Sequence, residues 1–373
     1  MQVEPLFLFS LDLYAQFALQ YPNSSHVCAP FNVATVLAML LAGARRNTAK
    51  ELSTLLHVWS GDSIRQQLHD FLSGLPDEDS VFRVANRLYS TSHFEVRREY
   101  AELLSSYYQA EIKSVDFERE HRAITREVNE WVSNITESKI RHVLFPGSID
   151  AYTTLTLISV VYLKAPWLLP FDERLTTFGD FYVKRYNRIE VDMMHLENAF
   201  KIGRSDELRC SALEMDYKGG RFSMVILLPD EVDGLTSLEE QVTAYTLDSL
   251  FSGLEIVSDV MLSLPKFKVD RKIFLHHVLK RLGLNDIFAE GIADLSGIFR
   301  NGSPAISIAI HQALVHVNEN GTGAPAAEGS IYSPAFRRRS SPIKFTVDHP
   351  FMFLIKTSLE DVILFMGSVR NPQ

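Results

Sequence analysis

The chain has 373 residues, 46% of them hydrophobic, and 37 basic against 46 acidic residues leave a net charge of −9. Such a length holds two or three ordinary domains or one large one, with an apolar core that needs no disulfide to hold it. The acidic balance makes a poor general nucleic-acid binder, and no apolar run is long enough to span a bilayer.

Taken in order, Leu6-Phe7-Leu8-Phe9 is a short apolar patch. It has no basic flank and no small-residue cleavage site, and Asp12 soon interrupts it, so it reads as a helix start and not as a signal peptide. The expectation is a secreted protein whose leader is absent from this sequence, with a cytoplasmic protein as the alternative. After Pro30, Val33, Val36, Leu37, Leu40 and Leu41 keep a 3.6-residue period, and Gly43 ends the helix. Thr48-Ala-Lys-Glu51 predicts a capping box ahead of Leu52, Leu55 and Leu56. Ile124, Val128, Trp131, Val132 and Ile135 form another amphipathic stripe.

From there strands dominate. TLTLISVVYL (154–163) is apolar on both faces and predicts a central strand. Gly219-Gly220, after Tyr217-Lys218, reads as a hairpin turn. FSMVILL (222–228) closes at Pro229-Asp230, a turn signal. FMFLIK and VILFMGSV flank Thr357-Ser-Leu-Glu-Asp361 as a terminal hairpin. Helices crowding the first 140 residues, with strands after them, predict an α+β protein with a large sheet.

Chemistry is sparse. No GxSxG elbow, P-loop, GxGxxG or HExxH occurs, so neither an enzyme nor a bound cofactor is expected. His276 and His277 adjoin on a predicted helix, where neighbours point apart, and no residue set has metal-ligand spacing. Cys28 and Cys210 read as two separate buried thiols, though a bridge between them stays open. Four N-x-Ser/Thr acceptors, at Asn23, Asn134, Asn301 and Asn320, favour secretion and glycosylation.

One segment is odd: VNENGTGAPAAEGSIYSPAFRRRSSPIKF (317–345) runs from a strand through small residues and three arginines into another strand. VNENGT (317–322), DHPFMFLI (348–355) and LFMGSVRNP (364–372) resemble the C-terminal signature of the serpins. RVANRLY (83–89), YYQAEIKSVDF (107–117), VNEWVSNITESKIRHVLFPGSI (128–149), LKAPWLLPF (163–171), LLPDEVDGL (227–235), LPKFKVD (264–270) and LKRLGLNDIF (279–288) resemble serpin segments in family order. APFNVATVLAMLLAGARRNTAKEL resembles the family's early helix.

The resemblance implies a single α+β serpin domain over 1–373. It would have three β-sheets, eight or nine helices and an exposed reactive-centre loop at about 319–342. It also implies a mechanism in which a protease cuts the loop and forms an acyl-enzyme. The freed loop then enters the main sheet as a new strand, carrying the distorted protease with it, and the driving force is strain stored in a metastable fold. Glu319, Gly321, Thr322, Gly323, Ala324, Pro325, Ala326, Ala327 and Glu328 take the hinge positions. Glu319 and Lys266 match the family's ion pair at the top of the hinge, and Trp167 matches its tryptophan below that point, the region called the breach. His311 matches the histidine of the mid-sheet shutter. Ala29, Asn32 and Ser159 stand there where the family usually has two serines and an asparagine.

By the family's usual hinge spacing the resemblance implies an attacked bond at Ala335-Phe336 when counted from Glu319, whereas counting back from Pro350 favours Arg337, Arg338 or Arg339. Arg339-Ser340 is preferred, because trypsin-like proteases hold a basic side chain with a buried carboxylate. The expectation is a monomeric inhibitor of such a protease, with no nucleic-acid or membrane partner and no basic helix to support heparin binding. Pro325 and Glu328 argue against fast insertion, so the expectation is an inhibitor with a leaky hinge, with a non-inhibitory serpin (carrier, chaperone or plain substrate) as the alternative.

Overall fold

A computed structural model describes residues 4–74, 80–323 and 342–373. Helices come first: α1 (Pro5–Gln20), then a short strand β1 (His26–Cys28), α2 (Pro30–Gly43), α3 (Arg46–Leu55) and α4 (Gly61–Gly74). β2 (Val81–Thr91), α5 (Arg98–Tyr108), β3 (Glu111–Val115) and α6 (Phe117–Ile135) follow. Next are β4 (Leu155–Pro166), β5 (Thr177–Lys184), β6 (Asn187–Ser205), β7 (Cys210–Asp216) and β8 (Phe222–Pro229). α7 (Leu235–Gln241) and α8 (Ala244–Ser252) precede β9 (Glu255–Pro265), β10 (Phe267–Phe274) and α9 (Leu275–Arg281). The last strands are β11 (Ile308–Asn318), the two-residue β12 (Gly321–Thr322), β13 (Ile343–Thr346), β14 (Phe351–Thr357) and β15 (Ile363–Val369).

The smaller sheet has the order β10-β11-β12-β4-β2-β3. The larger runs β1-β15-β14-β8-β7-β6-β9-β13, with β5 added on β6. Three sheets were expected, and hydrogen bonding joins two of them. The 19-residue β6 runs through both, and its register with β9 shifts between Asn198 and Phe200.

β4 shows why its sequence is apolar on both faces. Leu155, Leu157, Val161 and Leu163 enter the main core with α2. Ile158 and Val160 join a second core with Ile124, Val128 and Val132 of α6 and with Ile140, Val143 and Leu144 just after it. A strand packed on both sides has no solvent face to fill with polar residues. α2 exceeds its predicted stripe: every residue but Ala42 is buried, so it is a core helix all round.

The capping-box expectation at Thr48–Glu51 is corrected. α3 starts at Arg46, and its N-cap Arg45 makes no side-chain cap bond. Thr48 instead accepts the N–H of Asp294, and Glu51 accepts the N–H groups of Asn285 and Asp286. The same side chains that would cap a helix here fasten a distant loop. Cys28 and Cys210 are free and buried. Burial pushes the Cys210 thiol up to about 12 and Cys28 higher still, which leaves both unreactive.

Candidate functional site

The site is a seam in the smaller sheet. β4 and β11 pair in parallel from Ile308↔Thr156 to Leu314↔Tyr162. Above that level they diverge, and β12 lies between them. Gly321 sits opposite Asn318 on one side and Pro166 on the other, and Thr322 opposite Val317 and Ala165. Both new pairings are antiparallel. Gly321 and Thr322 therefore already stand in the sheet between the two strands.

Both flanking glycines are needed there. Gly321 has φ +147°, and a Cβ on it would lie 2.1 Å from the Ala165 carbonyl oxygen. Gly323 has φ +64°, and its Cβ would lie 2.6 Å from the Leu163 oxygen. Its N–H donates to the His316 carbonyl at 2.8 Å. Gly323 stands where the resemblance leads one to expect Glu, and the sequence offers only added backbone freedom as its effect. In the structure it holds a left-handed φ above the Leu163 carbonyl, where a Cβ has no room.

Thr322 is fully buried, its hydroxyl 2.5 Å from that of Tyr217. Tyr217 stacks on Trp167 with ring centroids 4.4 Å apart and an interplanar angle of 10°. The Trp167 indole N–H donates to the Asn318 carbonyl at 3.0 Å. Burial raises the Tyr217 phenol well above its ordinary value, so the hydroxyl stays neutral. One step earlier, Glu319 accepts from Lys266 Nζ at 2.7 Å and from Thr176 Oγ1 at 2.7 Å. Burial alone would raise this carboxyl. The hydrogen bonds from Lys266 and Thr176 outweigh it and hold the group below the usual range. Glu319, Lys266 and Trp167 thus converge around the top of β12, joined by Tyr217 and Thr176. The sequence reading missed the last two.

Halfway down the seam lies a dry polar cluster. His311 and Ser159 are register partners across it. The Ala29 N–H donates to His311 Nε2 at 3.1 Å, which leaves the proton on Nδ1, 3.1 Å from Ser159 Oγ. Asn32 Nδ2 donates to the same Oγ at 3.0 Å, and Asn86 Nδ2 donates to Asn32 Oδ1 at 2.9 Å. His311 has no exposure, and burial lowers its pKa to about 4. Ala29 contributes only its backbone. Asn86, on β2 opposite Ser159, completes the cluster. In the sequence Asn86 is one of three polar residues in RVANRLY, with nothing local to single it out.

Ala324, Pro325, Ala326, Ala327, Glu328, Ala335, Phe336, Arg337, Arg338, Arg339 and Ser340 lie outside the described residues. Of the glycan acceptors, Asn23 and Asn134 are exposed. Asn301 is exposed, but its amide bridges the Glu95 N–H and the His93 carbonyl. Asn320 is 8% exposed and its Nδ2 donates to Glu173, so a glycan there would have to displace this packing. Among the described residues no group of His, Cys, Asp and Glu could hold a metal, and no helix is long and apolar enough to cross a membrane.

A family model described as "Serpin (serine protease inhibitor)" matches residues 7–372. The chain belongs to the serpin family. This serpin is 44% identical to Ipis-1 of Ixodes persulcatus, over 97% of each chain. It is 35% identical to leukocyte elastase inhibitor A of Mus musculus, over 98% of each. Among solved structures it is similar to Serpin48 of the insect Tenebrio molitor, described as a highly specific serpin. That match has a TM-score of 0.89 and 31% identity, covering 99% of this chain and 97% of that one. The α+β serpin fold is therefore shared along the whole length.

Proposed function

We propose that this serpin inhibits trypsin-like serine proteases by covalent trapping, acting as one monomeric domain over 1–373. The observation that carries the reading is β12. Thr322 is already hydrogen-bonded between β4 and β11, and below it the two strands are held only by a parallel pairing. A loop that continued down the seam would replace one parallel junction with two antiparallel ones. Antiparallel pairing is the more stable per residue, and each added ladder bond contributes about 1 kcal/mol.

The chemistry is ordinary acyl transfer stopped halfway. The protease serine attacks the carbonyl of the residue before the cut, its proton passes through the protease histidine, and the amine of the C-terminal fragment leaves. An ester then joins protease and hinge. Insertion races hydrolysis of that ester, and each 1.4 kcal/mol in either barrier shifts the outcome about tenfold. Arg339-Ser340 is the preferred bond, ahead of Arg337, Arg338 and Ala335-Phe336, because a guanidinium makes a bidentate charge-assisted pair with a specificity-pocket carboxylate. In this proposal Glu319, Lys266 and Trp167 hold the loop's base, and His311, Ser159, Asn32 and Ala29 govern the sheet's opening.

Incubation with trypsin followed by a denaturing gel tests it. The expected result is a band at the summed mass and a released fragment beginning at Ser340. Complete cleavage with no such band supports the second reading, a non-trapping serpin. Two hinge residues favour that alternative. Pro325 cannot donate a ladder bond, and after insertion as a strand Glu328 would fall on the same alternate face as the buried Thr322. We also propose a secreted glycoprotein, on the exposure of Asn23 and Asn134. A mass shift on glycosidase treatment of protein from its source tests that.

A further inference from the structure

The hairpin of β5 and β6 stands beside both ends of the segment that joins β12 to β13. At one end Thr176, just before β5, donates to Glu319 at 2.7 Å, and Glu173 accepts from Asn320 at 3.3 Å. At the other end the Tyr182 N–H donates to the Asp348 carbonyl at 2.7 Å, just after β13. Antiparallel register puts Phe178 opposite Asp192, Asp180 opposite Glu190 and Tyr182 opposite Arg188. Cross-strand partners share a face, and this one is turned to solvent. Phe181 and Val191, on the other face, belong to the main core.

The outer face combines apolar area with unspent charge. Leu175 is 55% and Phe178 76% exposed, within four residues that also contain Thr176. The polar member of that stretch fastens it to the hinge while the apolar members point away. Arg188 is taken by Asp180. Glu190 and Asp192 are exposed, and among the described residues neither carboxylate has a hydrogen bond or an ion pair. An isolated exposed apolar residue is ordinary. A phenylalanine beside two unpaired carboxylates offers a partner both an apolar anchor and a charge to steer by.

We infer that this face is a docking surface for the body of the attacking protease, and that it selects a trypsin-like enzyme whose surface beside its cleft is basic. The inference rests on the proposed attack by such an enzyme and adds a second determinant to it, outside the arginines. Position names the occupant. The segment leaves the sheet beside Thr176 and returns beside Tyr182, so an enzyme that closes on a bond within it comes down over the hairpin. Charge excludes the other candidates. Phosphate-bearing polymers and anionic lipid are repelled by Glu190 and Asp192, and a second copy of a chain of net charge −9 is repelled as well. Phe178 and Leu175 supply the contact, and the carboxylates supply the orientation.

Cationic and anionic trypsin cut after the same basic residues and carry opposite net charge, so together they separate the surface from the cleft. The measurement is the second-order rate at which the intact chain disappears, whether cut or trapped, at low and at high salt. The parent should react faster with the cationic enzyme, and salt should erode the difference. Glu190→Gln with Asp192→Asn should lower the cationic-to-anionic ratio about threefold or more. Glu190→Lys should lower the ratio by itself. Phe178→Ala should slow both enzymes alike, by about threefold or more. Neutralising two exposed acids elsewhere, Glu99→Gln with Glu240→Gln, should leave the ratio within about 1.5-fold. All the altered side chains are exposed, so melting curves should not move. The surface is overturned if the double variant keeps the parent's ratio, if the distant pair lowers it as much, or if Phe178→Ala reacts as the parent does. Should the double variant misfold, Asp192→Asn alone is held to the same direction. Cleavage without a covalent band contradicts the inhibitor and still reads the surface, whereas no attack by either trypsin overturns both.

Discussion

The top and the middle of the seam are built from the same two strands and are in opposite states. At the top, β4 and β11 stand apart with Thr322 between them, held by the Tyr217 hydroxyl and by an ion pair whose lysine is 35% exposed. In the middle the strands are closed, and the contact across them is His311 to Ser159, fully dry and backed by Asn32 and Asn86. In the trapping mechanism proposed above, the difference would separate two tasks. Admission of the hinge would need only exchange of the hydrogen bonds around Thr322 and Glu319. Progress would be gated, because a strand arriving at the level of Ser159 would have to pull apart a buried polar pair, and each member is costly to leave unsatisfied.

The strongest way to break the comparison is to block the top. Thr322→Arg puts a guanidinium into a fully buried slot, at a cost of several kcal/mol unless paired. The covalent complex with trypsin should fall more than tenfold on a gel while cleavage of the loop continues.

Acid should break the middle. His311 is held neutral with its pKa lowered to about 4 by burial, and it faces Ala29 and Ser159 with no charge nearby. His26 is also lowered to about 4, chiefly by burial, with Glu239 opposing the shift and Arg370 and Arg271 adding to it. Both folded values lie below the unfolded value of about 6.5. The stability is therefore complete above pH 6.5 and is lost as the unfolded chain takes up protons between 6.5 and about 4. Each group contributes about 3 kcal/mol over that window. Melting temperatures measured across it should fall, and a flat profile would remove His311 from the gate.

A smaller effect sharpens the account of partition. Pro325→Ala removes a penalty of roughly 1–3 kcal/mol from insertion, and Glu328→Thr removes the burial of a carboxylate. The number of inhibitor molecules consumed per protease inactivated should drop toward one, most in the double variant. The smallest change is Tyr217→Phe, which keeps the stack on Trp167 and deletes one hydroxyl contact to Thr322. It should cost about 1 kcal/mol, visible as a slightly lowered melting temperature of the intact protein.

Much of this was legible in the sequence where one residue has one task. The α6 stripe, the both-faces-apolar β4 and the Gly219-Gly220 turn each follow from periodicity or turn chemistry, and the structure has them in place. Family motifs located Glu319, Lys266, Trp167 and His311, and the structure brings the first three to one end of the seam. Legibility failed where tertiary contacts reassign a side chain. Thr48 and Glu51 satisfy a capping pattern and do something else. Asn86 completes a network through register that no local pattern encodes. A two-residue strand such as Gly321–Thr322 has no propensity to detect, and the need for glycine at 323 comes from the Leu163 carbonyl oxygen, a tertiary neighbour that a Cβ would meet at 2.6 Å.

The central claim is that the seam stores free energy that a cut loop releases. Calorimetry of the intact chain and of the chain cleaved by trypsin, with the bond located by mass spectrometry, measures this directly. About 10 kcal/mol of new ladder bonds set against an unfolding entropy of about 2 cal/mol/K per residue raises the melting temperature by roughly 10 °C or more. A rise of that size after cleavage between Ala335 and Ser340 is the predicted result. An unchanged melting temperature after verified cleavage would mean that the hinge stops at Thr322, and the trapping account would fail with it.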